Sequence, residues 1–328
     1  MLSSCFVLNM TISVVIPLHN GSTTIIETLK SLESHIGLVD EVFIMENGST
    51  DNSLQLVQDY VDRSTHGKYV LFSTSTSLGL SGAYNKGIEM SSGDLIITLH
   101  QDVLLKDYAV ASLLEPFFSA EKGVVATSHC VEHPSFVWRA YPFWQRCLFS
   151  RLLGKTYCGL DGKFDCFSRA ALYEVGLFDS LRFRTAGEDG DIRKRLLKKG
   201  RISKTESLII HLHAVSDKFS IWDYFYKHMQ YSEAQGVLLR KHGIDSIQNF
   251  LKSFFREVLA VGVLFPYVRL IFLPLTLFYA IWYCKNSIIH CDKEDLAKLL
   301  LIVPVNVVLL YVSFFCSLKG FLLKRQRF

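Results

Sequence analysis

Three short clusters in this chain combine residue types that can do chemistry. The apolar run Leu95-Ile96-Ile97-Thr98-Leu99 delivers His100-Gln101-Asp102, a charged stretch holds Glu188-Asp189-Gly190-Asp191, and farther on stands His211-Leu212-His213. In a strand, residues i and i+2 share a face, so His100 and Asp102 project together from a strand tip, where they can hold one divalent cation. Strand carboxyl ends are also where ligands gather in open α/β sheets. Taken alone, the triplet fits an ordinary polar turn equally well. Glu188-Asp189 alone fits the acidic first turn of a helix, which the helix dipole favours. Asp191, followed by Arg193 and Arg195, fits structural ion pairs along that helix. His211 and His213 share a strand face.

The segments that must position these residues alternate between buried-strand and amphipathic patterns from Thr11 to about Val103, as βαβ units around a parallel sheet do. Ile12–Ile16 reads as a strand stopped by Pro17, Glu41–Met45 as a second, Tyr69–Phe72 as a third and Leu95–Leu99 as a fourth. Between them the pattern predicts helices over Thr23–Leu32, capped by Ser22 or Thr23, over Ser53–Tyr60 with Asp51 as its cap, and over Ser81–Met90. Each strand ends in a polar or glycine-containing turn, which gathers polar groups along one sheet edge. From about Lys106 to His213 the chain is less regular and richer in aromatics, among them Trp138, Tyr141, Phe143 and Trp144, as suits ring-stacking surfaces of an acceptor site. Ile221–Lys241 reads as a long amphipathic helix.

The 328 residues allow one large domain plus something smaller. Hydrophobic residues make up 49% and charged residues only 20%, and the mean hydropathy is +0.24. The apolar excess lies in two runs, Val258–Cys284 with the single charge Arg269, and Leu299–Leu318 with none. Both exceed the roughly 20 residues a bilayer core requires. Lys252 and Arg256 precede this block, Lys319, Lys324, Arg325 and Arg327 follow it, and the loop between the runs is balanced. The positive-inside rule then predicts a two-helix hairpin with both ends cytoplasmic. Met1–Met10 lacks the basic start of a signal peptide, and the eight cysteines form no CxxC pair, so they read as reduced thiols. The net charge of +4 gives no sign of nucleic-acid binding.

In order and spacing, Val14-Val15-Ile16-Pro17, Glu46-Asn47-Gly48-Ser49-Thr50-Asp51, Gly82-Ala83-Tyr84-Asn85-Lys86-Gly87, His100-Gln101-Asp102 and Glu188-Asp189-Gly190-Asp191 resemble the motifs of family-2 glycosyltransferases of the GT-A fold. The resemblance covers roughly residues 11–216. It implies an α/β, Rossmann-like GT-A domain over residues 11–217, with a nucleotide-binding half (11–105) and an acceptor half (106–217). A short extension (1–10) precedes it; an amphipathic linker (218–257) and a membrane-associated hairpin with a basic tail (258–328) follow. The implied activity is inverting transfer of one sugar from a nucleotide-sugar donor.

By resemblance Pro17, Asn20 and Glu46 line the nucleoside pocket, Glu46 standing where Asp is usual. Gly82 and Asn85 sit near the diphosphate, with Tyr84 where a cationic residue is common. His100 replaces the first Asp of the family's Asp-x-Asp and stays with the donor-binding group, while Asp102 takes the metal-ligand place. His211, spaced from Ser216 as in the family's closing His-x-x-x-x-Ser, completes the metal site, with His213 as its rival. Asp189 is the implied base, and Glu188 positions the acceptor or the base. The cofactor is a divalent cation, Mg²⁺ or Mn²⁺, because the donor set is mixed O and N. The implied acceptor is a lipid-linked or saccharide hydroxyl at the cytoplasmic face of the inner membrane. A polyprenyl-phosphate glycosyltransferase and a noncatalytic sugar-nucleotide-binding assembly partner are the alternatives. A processive polymer synthase is disfavoured by the missing Gln-x-x-Arg-Trp signature, and a dinucleotide oxidoreductase by the missing GxGxxG.

Overall fold

The computed structural model describes residues 10–119, 122–213 and 219–327. Two compact units are assembled from interleaved stretches. The first takes the chain up to Glu132, then Thr156–Ser180 and Glu188–Ala214; the second takes His133–Lys155, Leu181–Gly187 and the chain from Val215 onward. The expected contiguous division at 217 differs from this arrangement, and that boundary, like Ser216, lies outside the described residues.

In the first unit, β1 (Ile12–Leu18), α1 (Ile25–Glu33), β2 (Glu41–Asn47), α2 (Ser53–Arg63), β3 (Tyr69–Thr74), α3 (Gly79–Met90) and β4 (Leu95–Leu99) follow the expected alternation. β1 pairs in parallel with β2 and β4, and β2 pairs in parallel with β3. Every residue of β1 is buried, which is why its sequence is a continuous apolar run rather than an alternating one. The strand does not stop at Pro17. Its pairing with β4 ends at Val15 opposite Thr98, whereas pairing with β2 continues to Leu18 opposite Glu46; with one flank open, a residue lacking an N–H is tolerated. Neither Ser22 nor Thr23 caps α1. The Thr24 and Ile25 N–H groups bond the Gly21 carbonyl instead. α3 lies so close to the sheet that a Cβ on Gly87 would come within 2.4 Å of Val15 Cγ1.

The chain continues through β5 (Val103–Leu105), α4 (Ala109–Phe118) and β6 (Val124–Glu132). Next come α5 (Ser135–Arg139) and α6 (Phe143–Phe149), both in the second unit, then β7 (Thr156–Cys158), β8 (Phe164–Ser168), α7 (Arg169–Glu174), α8 (Glu188–Leu196) and β9 (Arg201–His211). The nine-stranded sheet runs β3-β2-β1-β4-β8-β6-β9-β5, with β7 on β6. β4 and β5 are four strand spacings apart along this path, roughly 19 Å if flat. Their three-residue connection spans at most about 14 Å, so the sheet must curl until its β5 edge returns to the end of β4. Within the curl, Cys130 on β6 and Cys158 on β7 are register partners and are joined by a disulfide. This corrects the expectation of reduced thiols for that pair; Cys147, Cys166, Cys284, Cys291 and Cys316 are free.

The second unit is helical: α5, α6, α9 (Ile221–His242), α10 (Ile247–Ser253), α11 (Phe255–Leu264), α12 (Arg269–Tyr283), α13 (Lys285–Ile289) and α14 (Leu296–Leu323). Ser220 and Asp223 form a capping box at the start of α9. The aromatics Phe143 and Trp144 pack in this unit's core with Tyr224, Tyr283 and Leu309, rather than in the acceptor half where they were expected. α9 and α14 touch backbone to backbone, since a Cβ on Gly236 would lie 1.9 Å from the Ser317 carbonyl oxygen and one on Gly320 would lie 2.1 Å from that of Glu233. The two-span hairpin is corrected as well. The run Val258–Cys284 breaks at Phe265-Pro266, because the residue before a proline is pushed to extended backbone and Phe265 adopts it (φ −88, ψ 118). The resulting helices of 10 and 15 residues are about 15 and 22 Å long, short of a roughly 30 Å hydrocarbon core. Among the described residues, only Lys293–Leu323 is long and apolar enough to cross a bilayer.

Candidate active site

The curl brings the expected metal residues together. Val103 of β5 is the register partner of His211 of β9, and the Leu212 N–H bonds the Asp102 carbonyl at 2.8 Å. His211 Nε2 thereby stands 3.1 Å from Asp102 Oδ1. One ligand atom from each of His100, Asp102 and His211 falls within 4.8 Å of the others. His213 lies past the end of β9, with positive φ and its ring 3.7 Å from that of His211, outside this set. His100, grouped by the resemblance with the donor contacts, lies in this cluster. Burial pushes its pKa down to about 4, which keeps a lone pair available at neutral pH. His100 Nε2 and His211 Nδ1 are buried without hydrogen-bond partners. Buried imidazole nitrogens left open around a carboxylate fit a divalent cation of the Mn²⁺ or Mg²⁺ kind.

At the tips of β1 and β2 the polar groups are bonded to one another. Glu46 is 3% exposed; its Oε1 accepts from the Ser49 N–H at 2.5 Å and its Oε2 from the Ser73 hydroxyl at 2.6 Å. Burial alone would raise its pKa, but these hydrogen bonds outweigh it and hold the carboxyl below its ordinary value. Asn20, at φ 50, accepts through Oδ1 from the Thr50 N–H at 2.8 Å. Pro17 is buried in β1 beneath this edge. Asp51 accepts from the N–H groups of Ser53 and Ser22 (3.0 and 3.1 Å), bracing the start of α2 from one residue before its Asn52 N-cap. Gln101, which carried no expectation, accepts from the His19 N–H at 2.7 Å and donates to the His19 carbonyl at 3.1 Å, fastening the His100–Asp102 turn to the β1 loop.

Gly82 sits within α3, where a Cβ would meet Leu78 Cβ at 2.9 Å. The Asn85 side chain donates to the Phe178 carbonyl and accepts from the Phe178 N–H (2.8 and 3.0 Å), which braces α3. Tyr84 is fully buried, donates to the Gly162 carbonyl at 3.1 Å and stacks on Phe178. Lys86 lies over the Phe72 ring.

Glu188 and Asp189 open α8. Glu188 is 5% exposed and its Oε2 has no partner. Burial, then the adjacent Asp189 charge, pushes its pKa up to about 8. Burial raises Asp189 to about 6 against the pull of the Gly190 N–H, which bonds Asp189 Oδ1 at 2.7 Å. Asp191 pairs with Arg195 at 2.6 Å, as expected of a structural pair. The backbone at Gly162 passes beside both acids, so that a Cβ there would sit 3.6 Å from Asp189 Cβ. Its loop is held by a buried network: His129 bridges Asp165 (3.0 Å) and Asp161 (3.2 Å), and Lys163 pairs with Asp161 at 2.5 Å. Burial opposes the charge on His129, yet the two carboxylates push it up to about 9. Although these three also lie within ligand distance, an imidazolium between two carboxylates accounts for them without a cation. No short motif signals this network, since it depends on the pairing of β6 with β8.

Comparison with known proteins bears on the fold that carries this geometry. The model of the family described as "Glycosyl transferase family 2" matches residues 13–180, which ends before Glu188 and His211. Poly-beta-1,6-N-acetyl-D-glucosamine synthase of Staphylococcus epidermidis is 26% identical over 179 residues, 52% of this chain and 42% of that protein. Undecaprenyl-phosphate 4-deoxy-4-formamido-L-arabinose transferase of Pseudomonas aeruginosa is 30% identical over 134 residues, 40% of this chain and 39% of that protein. The chain thus spans about two-fifths of the length of these relatives. Among solved structures, a mannosyltransferase from Pyrobaculum calidifontis in complex with GDP-Man and Mn²⁺ superposes with a TM-score of 0.57, covering 97% of this chain and 88% of that one at 12% identity. At that identity the likeness speaks for the fold alone, the curled mixed sheet of GT-A glycosyltransferases.

Proposed function

The chain belongs to glycosyl transferase family 2, and on that premise we propose that it transfers one sugar, with inversion, from a nucleotide-sugar donor to a hydroxyl of a lipid-linked or saccharide acceptor. The observation that carries this reading is the occurrence of the His100–Asp102–His211 cluster and of a pKa-raised carboxylate pair, Glu188 buried and Asp189 half-buried, in the same unit. The Asn20, Glu46 and Gln101 network, at the edge of β1 that holds Pro17, is the rim assigned to the nucleoside, with Gly82 on α3 assigned to the donor as well. Asp189, deprotonated above about 6, takes the proton of the acceptor hydroxyl as its oxygen attacks the anomeric carbon. The bond from that carbon to the diphosphate oxygen breaks with its electron pair, and attack opposite the leaving group inverts the configuration. Glu188, protonated until about 8, can donate a hydrogen bond to the acceptor while Asp189 works as base. A divalent cation held by His100, Asp102 and His211 would neutralise the charge of the departing diphosphate, as the Mn²⁺ named with the Pyrobaculum enzyme suggests.

We place the helical unit at the cytoplasmic face of the inner membrane. Tyr267, Leu270, Ile271, Phe278 and Leu300 are exposed, up to 97% at Tyr267. Apolar exposure on this scale marks a surface meant for burial, and the two short helices dip into one leaflet rather than crossing. The relatives named for a surface polysaccharide and for undecaprenyl phosphate support an acceptor presented there. The test is thermal unfolding of detergent-purified protein against a panel of nucleoside diphosphates and nucleotide sugars, with Mn²⁺, Mg²⁺ or EDTA. At about 100 times Kd a ligand should add roughly 2.7 kcal/mol. One nucleotide should stabilise in a metal-dependent manner and fail in Asp102→Ala. A response unchanged by EDTA and by Asp102→Ala overturns the metal-assisted reading.

A further inference from the structure

Three backbone donors in the helical unit converge on one side-chain atom of the C-terminal tail. The N–H groups of Arg184, Thr185 and Ala186 all bond Gln326 Oε1, at 2.9, 3.0 and 3.3 Å. Gln326 is only 7% exposed, although Arg325 and Arg327 on either side of it are open to solvent. Its own N–H bonds the Arg182 carbonyl at 2.8 Å, and its Nε2 donates to the Gln230 carbonyl of α9 at 3.4 Å. The next residue is tied as well: the Arg327 N–H bonds Glu233 Oε2 of α9 at 3.0 Å, and Lys319 of α14 pairs with Glu233 Oε1 at 2.9 Å. α14 ends at Lys324 in the left-handed region (φ 59), two residues before these contacts.

The segment held in this way forms neither helix nor strand over residues 181–187, so it has no ladder of its own to fix it. Three successive N–H groups aimed at one point make a concavity that suits a single oxygen acceptor, and Gln326 supplies that oxygen. The segment is wedged at two further places. Phe183 is fully buried, and Gly187, at φ 85, lies so close to α9 that a Cβ would stand 3.0 Å from Ala234 Cβ and 3.1 Å from Phe183 Cδ1. In sequence Gly187 runs directly into Glu188 and Asp189. Pinning at Arg184–Ala186 and crowding at Gly187 therefore restrict the backbone that leads to both acids.

We propose that Gln326 is a positioning residue for the transfer reaction, its side chain latching residues 182–186 and, through Gly187, setting where Glu188 and Asp189 stand. The latch rests on the contacts above, while its bearing on catalysis rests on the reading of Asp189 as the base. A displacement of about 1 Å far from the chemistry can cost on the order of 10²-fold in rate. Nucleotide and metal binding, assigned to other strands, should be spared.

The experiment compares two variants of the 328-residue chain in detergent: Gln326→Met, which keeps the side-chain length and removes the acceptor, and Gln326→Glu, which offers the three donors an anionic acceptor. In hydrogen–deuterium exchange, Gln326→Met should speed the amides of Arg184, Thr185 and Ala186 at least tenfold, and Gln326→Glu should not. Turnover is read as release of nucleoside diphosphate from the nucleotide sugar that stabilises the parent. Gln326→Met should lower kcat at least tenfold with the donor KM within threefold, and Gln326→Glu should hold kcat within threefold of the parent. Unchanged exchange in Gln326→Met overturns the latch, and faster exchange with parental kcat overturns the positioning role. If Gln326→Met fails to fold, Gln326→Asn, one methylene short of the donors, takes its place. Should the parent release no nucleoside diphosphate, the transferase reading falls by itself and ¹³C NMR titration of the Asp189 carboxyl decides: a midpoint displaced in Gln326→Met from the parent's value of about 6 supports the positioning role, and an identical midpoint overturns it.

Discussion

Glu46 and Glu188 are the same residue type, almost equally hidden at 3% and 5% exposure, and they behave in opposite ways. At the tips of β1 and β2 in the first unit, the Glu46 oxygens accept hydrogen bonds from Ser49 and Ser73, and the carboxyl titrates below its ordinary value. At the opening of α8, Glu188 has an oxygen without a partner and an acidic neighbour, and its pKa rises to about 8. Both are shut off from solvent, but heavier desolvation and the Asp189 charge push Glu188 up, whereas at Glu46 the supplied donors outweigh burial. One end of the site is built to hold a fixed shape. The other is kept short of partners, so that protonation and ligands can change it, as expected where a proton must be moved.

The sharpest way to break this contrast is Asp189→Asn, which removes the proton acceptor and leaves the donor rim intact. Turnover should fall by about 10²–10⁴ while nucleotide affinity stays within a few fold, and transfer at parental rate would remove Asp189 as the base. Next in size, Glu46→Gln should cost roughly 1–3 kcal/mol in denaturant unfolding at pH 7, because an amide presents donors where two donors already point. Since the folded pKa of Glu46 is lowered, its contribution is present above the unfolded value of about 4.3 and is lost as pH falls through the folded value. The parent and Glu46→Gln should therefore converge in acid. Glu188→Gln should show the mirror image. With a raised folded pKa, the protonated Glu188 contributes fully below about 4.3, and that stability is lost as pH rises through about 8. The variant should lie close to the parent at pH 5 and be the more stable at pH 9, the gap widening as pH rises towards about 8. The smallest effect is in the rate profile of the parent: transfer should rise with pH through about 6 as Asp189 deprotonates, and a flat profile there would detach catalysis from this carboxylate.

The parallel half of the sheet was legible because β1, β2 and β4 are apolar runs closed by turns, and period and punctuation survive in a single sequence. His100 and Asp102 were legible for the same reason, one strand tip carrying both. Their union with His211 came only from family resemblance, since it depends on β5 pairing with β9 across the curl. The His129–Asp161–Asp165–Lys163 network and the Cys130–Cys158 pair depend on strand register around β6, which no local spacing encodes. Gln101 was passed over as the middle of a motif, though its side chain ties the two loops. Pro266 was visible, but hydropathy summed over Val258–Cys284 hid the break it makes.

The three-residue bridge between β4 and β5 also orders events in time. His100 and Asp102 are translated about 110 residues before His211, and β9 is the last strand of the sheet in chain order. A nascent chain that folds from its N-terminus can therefore shape the tips of β1 and β2 early, yet the proposed cation set stays incomplete until β9 docks on β5. Uptake of metal would then report that the final strand has found its place.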